Sequence, residues 1–342
     1  MRALVVGGGA IGQFLAAKLA QGGHEAVVLA RAQGADAIKA HGITLCQNGA
    51  RAIVRVQTAA GPQDKNLRDP FEIVIVAVKS YSTHEAIAAI QASPGCAQSS
   101  VLTVQNGLGN EEELQDVFGA DRVVAGALTI AVDRIDATTV SAAPKGGLCI
   151  APVGSTPHNW MLLLWESAGI RVQALNDWRS MKWSKLCINI LGNAVCAALD
   201  WTPAEVYRNA NSFLVERECL SETIAVMDAM RITPVDLIGF PVRLLVRAAR
   251  TLPTPLLRAL LANRVAHGRG DKLPSLLLDL RSGKHQTEVG ALNGAVALNA
   301  VRNGSQAPVN AKVTAVVDGI AAGLVAWDEY RGKPEKLQPP RE

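Results

Sequence analysis

The first twelve residues restrict this chain more than any other stretch. Met1-Arg2-Ala3-Leu4-Val5-Val6 reads as an apolar strand, and Gly7, Gly9 and Gly12 follow it with the spacing G-x-G-x-x-G. The reason for that spacing is steric. The first glycine permits a tight turn, the second lets main-chain N–H groups approach a pyrophosphate, and the third lets the next helix pack on the strand. Gly7, Gly8, Gly9, Ala10, Ile11 and Gly12 are therefore the candidate cradle for a dinucleotide. Its phosphates would lie at a helix N-terminus, where unpaired N–H groups and the macrodipole favour negative charge. A glycine-rich turn can also join a strand to a helix and bind nothing. Here Phe14, Leu15, Ala17, Lys18 and Leu19 continue with helical spacing, Gly22-Gly23 stop the helix, and residues 25–30 supply a second strand, which completes a βαβ opening.

The second strand also bears on which dinucleotide is bound. An acidic side chain about 20 residues past the glycines would hold a ribose 2′-hydroxyl, whereas an arginine there suits a 2′-phosphate. The chain has Arg31 at that strand's end and no Asp or Glu until Asp36. NADP is the expected cofactor, the alternative being an arginine merely exposed in a loop.

At 342 residues the chain exceeds the usual size of one core, so two domains are expected. Apolar residues at 49% and charged residues at 19% describe a well-buried globular enzyme, not a disordered or fibrous chain. The net charge of +4 comes from scattered Lys and Arg, which gives no footing for nucleic acid. Cys46, Cys96, Cys149, Cys187, Cys196 and Cys219 form no C-x-x-C and no metal-ligand cluster with His. They read as small buried hydrophobes in a reducing compartment, with no metal site. The opening residues are consumed by the nucleotide fold, so they are not read as a removable leader. The apolar stretch 186–199 is too short to span a membrane and carries two Asn. A soluble, cytoplasmic protein that binds no membrane is the expectation.

Further along, residues 35–40 look helical, and 43–57, broken at Asn48-Gly49, look like a hairpin. Residues 60–70 read as a loop. Residues 71–78 form a β-rich run of the kind buried on both faces, ending at Lys79-Ser80, where open α/β sheets place their ligands. A helix over 83–92 and a strand over 100–104 lead to the turn Gln105-Asn106-Gly107-Leu108-Gly109-Asn110 and an acidic helix start at Glu111. Strands over 123–132, 139–141 and 147–150, a helix over 157–168 and a strand over 170–175 complete the first domain. Asn176-Asp177 is the expected boundary and helix cap. From Trp178 the pattern is helical, and the charged, Pro-rich end from Gly332 reads as frayed. The expected division is 1–175, 176–331 and a tail of 332–342.

The stretch from Trp183 to Asn193 carries the candidate chemistry. At about 100° per residue, Lys185, Asn189 and Asn193 fall on one stripe of a helix whose other faces are apolar. Burying an ammonium and two amides is costly without partners, and a polar ligand is one such partner. Solvent or a neighbouring helix is the other. These residue types suit carbonyl reduction. Hydride attack on a ketone develops negative charge on oxygen, which a nearby proton donor stabilises, and a lysine desolvated by apolar surroundings is an apt donor. Asn side chains both donate and accept, as a substrate hydroxyl or carboxylate requires.

Taken in order, Gly7-x-Gly9-x-x-Gly12, Val78-Lys79-Ser80, Gln105-Asn106-Gly107-x-Gly109, Trp183-x-Lys185-Leu186-x-x-Asn189-x-x-x-Asn193, and Ser275-x-x-x-Asp279 followed by Thr287-Glu288 resemble the ketopantoate reductase (2-dehydropantoate 2-reductase) family over essentially the whole chain. The resemblance implies an α/β fold: a Rossmann-like dinucleotide-binding domain followed by an all-helical domain like the C-terminal domain of 6-phosphogluconate dehydrogenase, with the site in the cleft between them. It implies NADPH-dependent reduction of 2-dehydropantoate to pantoate, on the route to pantothenate and coenzyme A. Lys185 matches the family's proton donor, and Glu288 the carboxylate that assists catalysis and contacts the cofactor. Asn106 matches the residue that touches nicotinamide and substrate. Asn189, Asn193 and Ser275 match substrate contacts, while Lys79 and Arg31 match cofactor contacts. The partner implied is a small 2-oxo acid, and a homodimer is compatible with the pattern.

Without the resemblance, Glu288 reads as a carboxylate on a solvated helix face, Ser275 after Pro274 as a helix cap, and Lys79 as a surface charge. Three features depart from the family's pattern. One extra residue separates Asp279 from Glu288, and Trp201-Thr202-Pro203 stands where another polar substrate contact is common. The segment 232–272 is long and basic, with Arg243, Arg247, Arg250, Arg258, Arg264 and Arg269 among leucines. That segment reads as a helical pair interrupted by Pro241, Pro253 and Pro255, with a membrane-surface helix as the alternative. A reductase of another 2-oxo acid and a non-catalytic NADP-binding regulator remain as functional alternatives. No zinc helix or G-x-S-x-G motif supports a metalloenzyme or hydrolase.

Overall fold

The computed structural model describes residues 1–269 and 273–338, with the main chain alone for 264–269. Lys272, the last four residues of the tail and the side chains of Arg264 and Arg269 therefore lie outside the described residues. The elements of the first part are β1 (Arg2–Val6), α1 (Ala10–Gln21), β2 (Glu25–Leu29), α2 (Ala32–His41), β3 (Ile43–Gln47), β4 (Ala50–Val54), β5 (Gln57–Ala59), β6 (Ile73–Val76), α3 (Thr83–Gln91), β7 (Ser100–Thr103), α4 (Asn110–Phe118), β8 (Val123–Leu128), β9 (Val132–Arg134), β10 (Thr139–Ala142), β11 (Leu148–Pro152), α5 (Trp160–Ser167) and β12 (Val172–Ala174). Helices α6 (Trp178–Asn189), α7 (Ala194–Leu199), α8 (Pro203–Arg208), α9 (Ala210–Ala229), α10 (Val242–Thr251), α11 (Thr254–Arg269), α12 (Ser275–Arg281), α13 (Asn293–Arg302) and α14 (Pro308–Ala321) follow.

Among the described residues the main sheet has the order β12-β11-β8-β7-β6-β1-β2-β5. Its stretch from β5 to β8 is parallel throughout, and only the β8–β11 pairing is antiparallel. Successive residues of a strand point to opposite faces, and here both faces are covered. Ala3 and Val5 join Phe14, Leu15 and Leu19 on one side, while Leu4 and Val6 join Val74, Val76, Ile87 and Leu114 on the other. That double burial is why β1 and β6 read as unbroken apolar runs. The chain enters β1 in the middle, winds outward through β2 to β5, then returns to β6 on β1's other side. This is a doubly wound, Rossmann-like order, with its switch point between β1 and β6.

The expected hairpin forms as β3 and β4, antiparallel around Asn48 (φ 54°) and Gly49 (φ 76°). It is not part of the main sheet: β4, β3, β10 and β9 make a second, four-stranded sheet, whose Ile43, Leu45 and Val140 share a core with α1. The single strand expected over 123–132 is accordingly two. Thr129 closes β8 by exchanging hydrogen bonds with Gly147, its amide donating to the Gly147 carbonyl (2.8 Å) and its hydroxyl accepting from the Gly147 amide (2.9 Å).

By compactness the chain divides into Met1–Gln105, Gly109–Lys182 and Leu237–Phe240 on one side, and Asn106–Leu108, Trp183–Asp236 and the residues from Pro241 onward on the other. The cap expected at 176–177 is made, since Asp177 Oδ1 accepts the amides of Arg179 (2.9 Å) and Ser180 (3.2 Å). By compactness the first unit runs on into α6 as far as Lys182, which is buried. The basic segment is the expected helical pair, α10 and α11, with Pro241 as the N-cap of α10 and Pro253 between the two helices. No helix among the described residues is long and apolar enough to cross a membrane.

One expectation fails at the C-terminus. Residues 332–338 are not frayed: the Gly332 amide donates to Leu199 O (3.0 Å), and Leu337, in the 3-10 turn Pro334–Leu337, is fully buried. A single well-seated leucine and a main-chain bond tie down what composition marked as loose.

Candidate functional site

In the first unit the site is made of main chain. β1 ends at Val6, and Gly7 turns out of it with φ +120°. A Cβ at Gly7 would lie 2.9 Å from the Ala77 carbonyl carbon just past β6, and one at Gly12 would lie 1.8 Å from Gly7 O. Both positions exclude every residue but glycine, for the turn and for the helix approach respectively. At Gly9, by contrast, a Cβ would meet no protein atom within 4 Å. Packing within the protein gives no reason for glycine there, whereas the approach of a bulky anion does, which is the fit required of a pyrophosphate cradle. The first N–H groups of α1 have no partner within the helix and carry its positive end. Gln13, fully buried, stiffens the loop by donating from Nε2 to Gly8 O and to Ala137 O, both at 2.9 Å.

Arg31 is exposed as the N-cap of α2, just beyond the carboxyl end of β2. Lys79 is half-buried as the N-cap of the 3-10 turn Ser80–Ser82, just beyond β6. The glycine loop, Arg31 and Lys79 thus lie along one carboxyl edge of the parallel sheet, at and beside its switch point.

In the second unit the groups are side chains. Lys185 and Asn189 are half-buried on α6, and Asn189 Nδ2 donates to Asn106 Oδ1 at 3.2 Å. The expected single stripe of Lys185, Asn189 and Asn193 is corrected: α6 stops at Asn189, Gly192 takes φ +59°, and Asn193 is the N-cap of α7 at φ −133°. The break is fixed from α9, where the buried Glu216 accepts the Gly192 amide on Oε2 at 2.7 Å. Asn193 is nonetheless brought back to the row. Its Nδ2 donates to Asn189 O (3.1 Å) and its Oδ1 accepts the Leu276 amide (3.3 Å). Hydrogen bonds, not helical periodicity, align these amides.

Ser275 is the exposed first residue of α12, with Pro274 as N-cap; it does not cap the helix with its side chain. Glu288 is not on a solvated helix face. It is 4% exposed and directly precedes the 3-10 turn Val289–Ala291. Ala291 O in that turn accepts the Leu108 amide at 3.0 Å, which brings the Asn106–Leu108 turn beside the segment that begins at Glu288. The structure therefore gathers Asn106, Asn189, Asn193 and the N-terminus of α12 directly, and draws the Glu288 segment to the same turn.

Within the stretch between Asp279 and Glu288, Lys284 forms an ion pair with Asp279. Thr202 is engaged in a capping box at the start of α8, its hydroxyl accepting the Glu205 amide (3.3 Å) while Glu205 Oε2 accepts the Thr202 amide (2.7 Å). Those hydrogen bonds hold Glu205 below the usual carboxylate range. None of the six cysteines forms a disulfide, and burial pushes Cys187 up to about 12 and Cys96 up to about 11.

Sequence reasoning missed two charged residues beside the site. Lys182 and Glu111 are wholly buried, 2% and 0% exposed, with Nζ 2.8 Å from Glu111 Oε1. The signal available was position: Lys182 lies one helical turn before Lys185, and Glu111 opens α4 directly after the Asn106 turn.

The ketopantoate reductase PanE/ApbA family model matches residues 3–154, and the model of that family's C-terminal part matches residues 177–321. A relative from Archaeoglobus fulgidus named 2-dehydropantoate 2-reductase is 26% identical, over 94% of this chain and 99% of that one. One of the same name from Aquifex aeolicus is 24% identical, over 93% and 96%. Among solved structures, a PanE/ApbA family ketopantoate reductase from Ralstonia eutropha superposes with a TM-score of 0.80 at 25% identity, covering 95% of this chain and 99% of that one. D-mandelate dehydrogenase with NADH and anilino(oxo)acetate has the same TM-score and coverage at 19% identity, which speaks to the fold alone. With both parts of the chain matched in sequence, this chain belongs to the ketopantoate reductase family.

Proposed function

We propose that this chain reduces 2-dehydropantoate to pantoate, with NADPH as the hydride donor. The observation that carries the reading is the amide row of the helical unit: Asn189, one turn along α6 from Lys185, is hydrogen-bonded to Asn106 and to Asn193. Two linked amides beside an ammonium make a site for a small, oxygen-rich anion. The nicotinamide dinucleotide, when bound, supplies the hydride. Gly7, Gly8, Gly9, Ala10, Ile11 and Gly12 hold its pyrophosphate by main-chain N–H groups, Lys79 adds charge at the same edge, and Arg31 reads the 2′-phosphate. Lys185 donates the proton from Nζ to the carbonyl oxygen as negative charge develops on that oxygen, and Glu288 assists at the site and would contact the cofactor. Asn106 meets nicotinamide and substrate, while Asn189, Asn193 and Ser275 orient the carboxylate and hydroxyl.

A second reading, reduction of another small 2-oxo acid on the same fold, is favoured by Thr202, whose side chain is committed to its capping box where a further substrate contact is common in the family. Steady-state turnover over a panel of 2-oxo acids, each with NADPH and NADH, separates the readings. The first predicts the highest kcat/KM for 2-dehydropantoate with NADPH. A higher value for a compound lacking the 4-hydroxyl supports the second. NADPH binding without turnover of any 2-oxo acid would leave a regulatory protein.

A further inference from the structure

We infer that Lys182 and Glu111 are a positioning pair for Asn106, and that stability is not what they provide. The inference rests on the reading of Asn106 as the amide that meets nicotinamide and substrate. Lys182 Nζ donates to Gln105 O at 2.7 Å and lies 2.8 Å from Glu111 Oε1. The Gln105 carbonyl belongs to the peptide group that joins Gln105 to Asn106. Its direction therefore sets the direction of the Asn106 N–H and of the chain entering Asn106, since the peptide is planar. The Gln105 side chain is held as well: Nε2 donates to Thr83 Oγ1 (2.9 Å) and Oε1 accepts from Thr103 Oγ1 (3.1 Å). With the carbonyl gripped by an ammonium and the side chain by two threonines, the peptide that presents Asn106 is fixed on every side.

The energetics point the same way. An ammonium and a carboxylate removed wholly from water lose hydration that their mutual attraction about offsets, so apolar residues of equal volume serve stability as well or better. What an apolar pair cannot do is grip a carbonyl. A charge-assisted bond to that oxygen is short and directional, and polarising the peptide also strengthens its N–H as a donor. Glu111, at the opening turn of α4, supplies the counter-charge that lets Lys182 remain buried.

The test compares wild type with the volume-matched double variant Glu111→Leu/Lys182→Met, reading thermal unfolding, NADPH affinity and 2-oxo acid kinetics together. The expected result is an unchanged Tm, NADPH affinity within about twofold, and kcat for the 2-oxo acid reduced about tenfold or more, the scale on which a small misplacement of a substrate-positioning group acts. Lys182→Met alone should fold less stably, because it leaves the carboxylate buried without its counter-ion. Wild-type kinetics in the double variant would overturn the inference, as would its failure to fold, which would make the pair a stability device. Failure of wild type to turn over any 2-oxo acid sinks the functional reading itself, and this inference with it.

Discussion

The two compact units present their candidate groups by opposite means. In the first, the candidate cradle is main chain, shaped by what glycine lacks: at Gly7 and Gly12 a Cβ would collide with a neighbouring segment, and Gly9 faces open space. In the second, the groups are side chains whose places depend on bonds from distant parts of the sequence. Glu216 accepts the Gly192 amide at the bend, the Leu276 amide donates to Asn193, and Ala291 accepts the Leu108 amide. A main-chain site tolerates almost any side chain that points away but no added Cβ. A side-chain site tolerates local change until one remote partner is lost.

The largest effect separating the two is expected at Gly12. Gly12→Ala drives a Cβ into Gly7 O, and overpacking of about 1–3 kcal/mol corresponds to loss of NADPH affinity by up to about a hundredfold, read by fluorescence titration. Unchanged affinity would remove the glycine loop from cofactor binding. Next comes Arg31→Ala. Losing a charge-assisted hydrogen bond worth about 1.5–3 kcal/mol should weaken NADPH more than tenfold and leave NADH nearly unchanged. Equal losses for both would contradict the 2′-phosphate role.

A smaller effect is expected at the bend. Gly192→Ala forces a side chain into a positive φ at a cost of about 1 kcal/mol, which should raise KM for the 2-oxo acid about fivefold without altering NADPH affinity. A shift in NADPH affinity instead would blur the division between the units. The smallest concerns Thr202, whose side chain is committed to the cap of α8. Thr202→Ala should cost about 1 kcal/mol of stability with kcat/KM unchanged. Because Glu205 is held below the usual carboxylate range, the folded protein binds fewer protons than the unfolded chain. Its stabilising share is full above the ordinary carboxylate pKa and is lost as pH falls through the lowered value. Glu205→Gln should remove that acid-side loss in Tm, and an unaltered acid slope would show that the cap does not titrate.

How much the sequence discloses follows the same contrast. The βαβ opening, the buried β6 run and the helical second half were legible because periodicity and glycine spacing are local signals, and a main-chain cradle is written in consecutive residues. The second sheet was legible only as its β3–β4 hairpin, since nothing in residues 43–54 and 132–142 says that β3 also pairs with β10. The break at Gly192 was not legible: helical spacing of Lys185, Asn189 and Asn193 is satisfied on paper, and only Glu216, a long way along the chain, decides otherwise. The burial of Glu288, Lys182 and Glu111 escaped for one reason. A charged residue looks solvated until the element packed against it is known. The seated C-terminal turn escaped because one buried Leu337 outweighs a polar composition.

The central claim is that hydride carrier and proton donor are supplied by separately encoded parts of the chain. It is tested most directly by measuring NADPH affinity and kcat side by side in Lys185→Ala. The account predicts affinity within about twofold of wild type and kcat with 2-dehydropantoate reduced by about a hundredfold or more, the scale of lost general-acid catalysis. An unchanged kcat, or a loss of NADPH affinity in step with it, would contradict the account.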